Sequence, residues 1–395
     1  MSKKIKQSSL LFPMLLVAYE VITYLSNDMY LPGLPMLTRD FKVSQDVGQY
    51  TLSLWFLGSA SMQLIVGPLS DRFGRRLIVL SGGVLFIVFS FVCAITEDIV
   101  WMLLGRFIQG CTVCSVVVAG YSAIHESYDT KAAIRITTLM GMVTILAPAL
   151  GPLLGAIILE ISSWRAIFYF LGFSAMLAVG SLYKVMPETN PHKTSLDLVK
   201  IIKGYLAISL RPQFISYTLP FCFLFLSLIC WIVESPFVII ETYQKSPLDY
   251  GLIQFLVFGS FMVGAQATRI LIHKKEAPKI IQYGLSIASF SGLILIFCIF
   301  ASPAELYYIV GGMMLLAFGS SMAFGPLNRC AIDTCTEPMG QRMAVFSSFM
   351  SLFGVLGTVL VTLFNDKTIT NLSLMIAFGT ILAFLVFKVM HRKHD

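Results

Sequence analysis

The chain has 395 residues, of which 57% are hydrophobic and only 12% charged, and its mean hydropathy is +0.82. Soluble globular chains carry about a quarter charged residues, so this composition excludes a soluble enzyme or binding domain. It indicates an all-α polytopic membrane protein, with room for about a dozen spans of roughly 20 residues and none for a separate soluble domain.

Apolar runs between polar punctuation predict twelve transmembrane helices near 10–31, 47–67, 77–96, 100–124, 134–159, 165–186, 213–240, 249–271, 278–300, 304–328, 342–363 and 368–389. The first run, Leu10 to Met29, is too long for a signal-peptide core and no small-residue cleavage site follows it, so it is expected to remain as a helix. The long connection is 187–212, PETNPHKTSLDLVKIIKGYLAISLRP, which is basic and partly amphipathic and suits a surface helix at the cytoplasmic face. It divides the chain into an N-terminal six-helix half (1–186) and a C-terminal six-helix half (213–395).

Twelve spans place both termini on one side. If that side is cytoplasmic, 22 of the 28 Lys and Arg residues fall on it, five (Arg39, Lys42, Arg165, Lys245, Lys367) fall on the other, and Arg106 lies within a span. This is the positive-inside pattern, and it accounts for the net charge of +7 without nucleic-acid binding. The halves also echo each other. Each second span runs into a short basic loop, DRFGRR at 71–76 and HKKEAPK at 273–279, and spans five and eleven are both glycine-rich. A repeat of this kind, with polar residues at mid-depth, predicts a transporter that exposes a central site alternately to either side.

Within the first span the stretch YEVITYLSND carries two acids, Glu20 and Asp28, each costly in lipid by a few kcal/mol. At helical spacing Glu20, Tyr24, Asn27 and Asp28 share an arc of about 100°, and the two carboxylates lie about 12 Å apart along the axis. They are too far apart to share a proton and are better described as two stations in one cavity, where a proton and a substrate compete for negative charge. The alternative for Asp28, close to Pro32, is that it reaches the membrane interface.

Further along, Gly67 to Arg76 forms a tight loop between spans two and three, with Asp71, Arg72, Gly74 and Arg75 able to pair across helix ends. Arg106-Phe107-Ile108-Gln109-Gly110 puts a permanent cation inside span four, either as a site residue or as an ion pair tying helices together. Pro148 and Pro152 predict a bend in span five, and Gly151 and Gly155 a smooth face for close packing. The eight cysteines lie mostly within spans as small apolar side chains, Cys111 and Cys114 included. The five histidines sit at span ends or in loops and offer no metal site. There is no phosphate-binding loop, selectivity filter or hydrolytic constellation, so no cofactor and no enzymatic activity are expected.

The loop GPLSDRFGRR (67–76), the span-four RFIQG (106–110) and the span-five segment PALGPLLG (148–155) resemble, in order, three signatures of the major facilitator superfamily, the last that of its antiporters. DMYLPGLP (28–35) resembles the first-span signature of its bicyclomycin and chloramphenicol resistance group. LFPMLLVAYEVITYLSNDM (11–29), GYSAIHES (120–127), MPET (186–189) and SPFVII (235–240) are similar to segments of its multidrug/proton antiporters, a resemblance running from about residue 10 to 270.

It implies the major facilitator fold in a bacterial cytoplasmic membrane, and export of lipophilic, often cationic compounds in exchange for protons by a monomer without cofactor. Glu20 and Asp28 would be the proton and substrate carboxylates, Arg106 would tune their coupling, and Tyr24, Asn27 and Gln109 would line the cavity. Glu234, in WIVESPFVII, departs from the pattern, which has glutamine there. It is expected to add a third acid to the substrate site or a second titrating group, or else to bond backbone freed by Pro236. The rival function is transport of one metabolite, such as a siderophore or an amino-acid-like compound. A non-transporting receptor is disfavoured by the lack of sizeable extramembrane surface.

Overall fold

The structure is a computed structural model that describes residues 10–190, 198–300, 306–364 and 369–391. Among them every regular element is helical. Helix α1 (Leu11–Asp28) runs through a 3₁₀ turn (Leu31–Gly33) into α2 (Leu34–Asp40), with Pro32 and Pro35 in first turns, where a missing N–H costs nothing. α3 (Gln45–Gln63) and α4 (Val66–Phe73) meet at a 50° bend. α5 (Arg75–Ile95) is followed by α6 (Ile99–Cys114), a π-helical segment (Ser115–Gly120) and α7 (Tyr121–Ser127), which together form one continuous rod.

α8 (Thr130–Ile161) contains Pro148 and Pro152 and bends by 45° just before them, while α9 (Trp164–Val185) follows a two-residue turn. The remaining elements are α10 (Leu198–Ser209), α11 (Pro212–Phe237) with a π-helical end (Val238–Thr242), α12 (Pro247–Leu271), α13 (Ala277–Phe300), α14 (Leu306–Asp333), α15 (Met339–Leu363) and α16 (Ile369–His391). Starts are set by side-chain caps where the sequence supplies them. Asp98 accepts from the amide of Val100 and Asp129 from that of Ala132, both at 2.8 Å, and Ser246 and Asp249 form a capping box.

Each of the twelve predicted segments is helical within a few residues, as far as it is described. The ends at 301–305 and 365–368, the linker stretch 191–197 and the basic residues Lys3, Lys4, Lys6, Lys193, Lys367, Arg392 and Lys393 used for topology lie outside the described residues. Among the described residues nine helices are long and apolar enough to cross a membrane, or up to eleven if each bent pair is one span. α1 is not among them. Its eighteen residues include Glu20, Asn27 and Asp28, and these hydrophilic side chains offset its leucines and valines.

Glycines let neighbouring helices approach. A Cβ at Gly58 would strike the Phe107 carbonyl and one at Gly110 the Trp55 carbonyl, so α3 and α6 cross backbone to backbone. The N-terminal helices pack chiefly on one another, with α1 between α8 and α9, and meet the C-terminal helices along α3 with α15 and α8 with α12. α10 packs on α15 and leaves Val199, Ile202, Leu206 and Leu210 exposed on one side.

Arg39, Phe41, Trp164 and Glu241 gather at one end of the bundle, where Arg39 pairs with Glu241 at 2.9 Å and Phe41 packs on Trp164. Arg75, Glu126, Glu188 and Asn190 gather at the other.

Candidate functional site

The polar stripe of α1 is buried. Glu20 is fully buried, Asn27 and Asp28 are nearly so, and Tyr24 is partly buried. Hydroxyls on the same helix are neutralised locally, since Thr23 donates to the Glu20 carbonyl at 2.8 Å and Ser26 to that of Thr23 at 2.6 Å. The carboxylates are not. Glu20 accepts one bond, from the Tyr121 hydroxyl at 3.2 Å, and its Oε2 has no partner among the described residues. Asp28 accepts from the amide of its neighbour Asn27 at 3.2 Å. Buried polar atoms are nearly always paired, so oxygens left short of donors mark a place where something else is bound or exchanged.

Tyr121 reaches Glu20 from directly beyond the Ser115–Gly120 π-helical segment. The extra residue in such a turn rotates everything after it, a device common at functional sites. Sequence reasoning did not select Tyr121, because a π turn in an apolar run leaves no compositional mark.

Arg106 lies fully buried in α6. Its Nη1 donates to the Ser26 carbonyl and to Gln109 Oε1, both at 2.8 Å, and the guanidinium lies 4.4 Å from the centre of the Tyr30 ring. Ser26 belongs to the last turn of α1, where helix geometry leaves carbonyls free and the dipole favours a cation. The arginine therefore joins α6 to α1 through backbone and ring, not through an ion pair. Among the described residues no carboxylate lies within 4.0 Å of it, while its Nε and Nη2 have no partner. Gln109 donates in turn to Ser90 at 2.9 Å, so both its ends are engaged in a chain from α5 through α6 to α1.

The span-five glycines act on this same region. A Cβ at Gly155 would collide with the Met29 carbonyl and one at Gly151 with Asp28 Cβ, so α8 seats the acidic end of α1. Pro152 and Gly151 are buried beside it and Pro148 is partly buried one turn earlier.

The 67–76 segment is not a loop but two helix ends, α4 through Phe73 and α5 from Arg75, broken only at Gly74, and it gathers at the far end of the bundle. Arg75 pairs with Asp71 at 2.6 Å and Glu126 at 3.0 Å and also donates to Ser70. Gly74 adopts φ +104°, a conformation suited to glycine, and the Glu188 carboxylate occupies the space a Cβ would need while accepting from the Arg75 amide at 2.9 Å. Arg72 instead lies beside the Phe73 ring, and Gly67 faces Val118. The MPET segment thus folds onto the Gly74 break between α4 and α5, a contact that sequence reasoning left unassigned.

Glu234 is held from another helix. It is 4% exposed and accepts from Gln45 at 3.1 Å and Gln49 at 2.6 Å, both at the start of α3, while Gln49 accepts from Thr362 of α15 at 3.1 Å.

The chain matches the Major Facilitator Superfamily over residues 16–358. It is 32% identical to the multidrug transporter MdfA of Edwardsiella piscicida over 365 residues, covering 90% of this chain and 87% of that protein. It is 31% identical to the chloramphenicol resistance protein CraA of Acinetobacter baumannii over 346 residues, covering 88% and 84%. In fold it is similar to a bacterial homologue of the human lysosomal transporter Spinster, in an inward-facing and occupied conformation, with a TM-score of 0.74, 14% identity and 96% of each chain covered. The chain belongs to the Major Facilitator Superfamily and is a multi-pass membrane transporter, not an enzyme.

Proposed function

We propose that this protein is a proton-coupled exporter of lipophilic, often cationic compounds. The observation that carries the reading is the pair of buried α1 acids, Glu20 and Asp28, each accepting a single side-chain hydrogen bond, with Oε2 of Glu20 accepting none among the described residues. Near Asp28, Arg106 keeps two guanidinium nitrogens without partners among the described residues. In water-poor surroundings a bound cation or a proton can each neutralise such acids, so binding one releases the other, and the two fluxes run in opposite directions. The membrane potential supplies about 2.3 kcal/mol per charge per 100 mV, and a pH difference adds to it. Arg106 sets the local field, Gln109 holds it in place, and Tyr24 and Asn27 give the cavity wall its polar and aromatic character. The relatives' names, a multidrug transporter and a chloramphenicol resistance protein, support the substrate class.

In this reading α1 is the first of twelve spans, arranged as halves 1–186 and 213–395 around the 187–212 linker. The Lys and Arg distribution supports placing both termini and the Arg75 end in the cytoplasm of a bacterium and the Arg39 end outside. The unit of function is a monomer in the lipid bilayer. The test is uptake of labelled tetraphenylphosphonium and of chloramphenicol into inverted proteoliposomes under an imposed pH gradient. Movement of both, lost in the Glu20→Gln/Asp28→Asn variant, is the expected result. Transport of one metabolite alone, or of nothing, would overturn it.

A further inference from the structure

We propose that Glu234, Gln45 and Gln49 form an outer latch, in which a carboxylate of α11 is clasped by two amides of α3 and holds the Arg39 end of the bundle closed. This rests on the transporter reading above, including its orientation, and gives Glu234 a role other than substrate ligand.

The contacts are layered. Innermost, the nearly buried Glu234 accepts from Gln45 and Gln49, and Gln49 is held from a third helix by Thr362. Next, Gly48 lets α3 lie against Thr38 of α2, where a side chain would intrude, within contact of Phe237 of α11. Outermost, Arg39, largely open to solvent, pairs with the partly exposed Glu241. The rim pair contributes little because water screens it. The inner clasp differs, because an ionised carboxylate only accepts hydrogen bonds and its amide donors sit on another helix, some 185 residues away in sequence. Parting α3 from α11 strips Glu234 of those donors until water replaces them. The closed end is therefore held by a charge that must be hydrated before the end opens.

The test places nitroxide-bearing noncanonical amino acids at Ser44 and Lys245, exposed positions on the two sides of the latch, in the reconstituted full chain, and reads their separation by pulsed EPR. Loss of a hydrogen bond to a charged group predicts a rise of about tenfold or more in the ratio of long to short distances for Glu234→Ala. Gln49→Ala is expected to shift the ratio the same way. Glu234→Gln should fall between, since its one carbonyl oxygen keeps an amide, and Arg39→Ala should change least. If Glu234→Ala does not fold, the Gln45→Ala/Gln49→Ala variant carries the test. Unchanged distances in these variants overturn the latch, and unchanged distances with lost tetraphenylphosphonium binding return Glu234 to the cavity. The readout needs no transport, so a wild type that moves nothing yet opens on latch removal would sink the exporter reading alone.

Discussion

Two kinds of buried acid occur in this bundle. Glu20 and Asp28 of α1 each accept one hydrogen bond from a nearby side chain, and an oxygen of Glu20 has none. Glu234 of α11 accepts from two amides on another helix. All three are at most 4% exposed, so burial does not separate them; the supply of donors does. An acid left short of donors is poised to take a proton or a cation, whereas an acid with donors brought from across the bundle fastens two helices together.

The comparison breaks most severely at Arg106, which supplies the cation near Asp28. Arg106→Ala leaves the Ser26 carbonyl and Gln109 without their donor in a fully buried place. Each hydrogen bond to a charged group is worth about 1.5–3 kcal/mol, and two are lost at once, so a large fall in thermal unfolding temperature is expected. Arg106→Lys, which keeps the charge but not the fork or the ring stacking, should recover only part of it.

A smaller effect is expected where α8 seats the acidic end of α1. Gly155→Val forces a side chain into the Met29 carbonyl, and overpacking of this kind costs about 1–3 kcal/mol. Transport should fall along with stability, because Asp28 is displaced; a fully active, stable variant would detach the glycine face from the site. The smallest effect sharpens the account of Glu20. Tyr121→Phe removes its one hydroxyl donor, worth about 1 kcal/mol. Stability should fall by about that amount, and binding of tetraphenylphosphonium should shift by no more than about fivefold.

Most helices were legible because lipid-length apolar runs punctuated by basic segments mark their extent, and the stripe from Glu20 to Asp28 was legible because helical periodicity alone puts it on one face. Other parts of the site were not. The acceptor for Arg106 is a backbone carbonyl, that of Ser26, and its platform is the Tyr30 ring; a carbonyl carries no residue-specific signal. Gln45 and Gln49 look like ordinary polar residues at the start of a helix, and only the fold brings them to Glu234. Tyr121 was shifted into place by a π turn within SVVVAG, a sequence that reads as plain apolar helix. The seat of Glu188 on Gly74 joins two segments more than a hundred residues apart.

Proton release on ligand binding tests the central claim most directly. Tetraphenylphosphonium added to the purified, weakly buffered protein should liberate protons in wild type near neutral pH and none in the Glu20→Gln/Asp28→Asn variant. Undiminished proton release from that variant, with the cation still bound, would contradict the exchange of proton and substrate at the α1 acids.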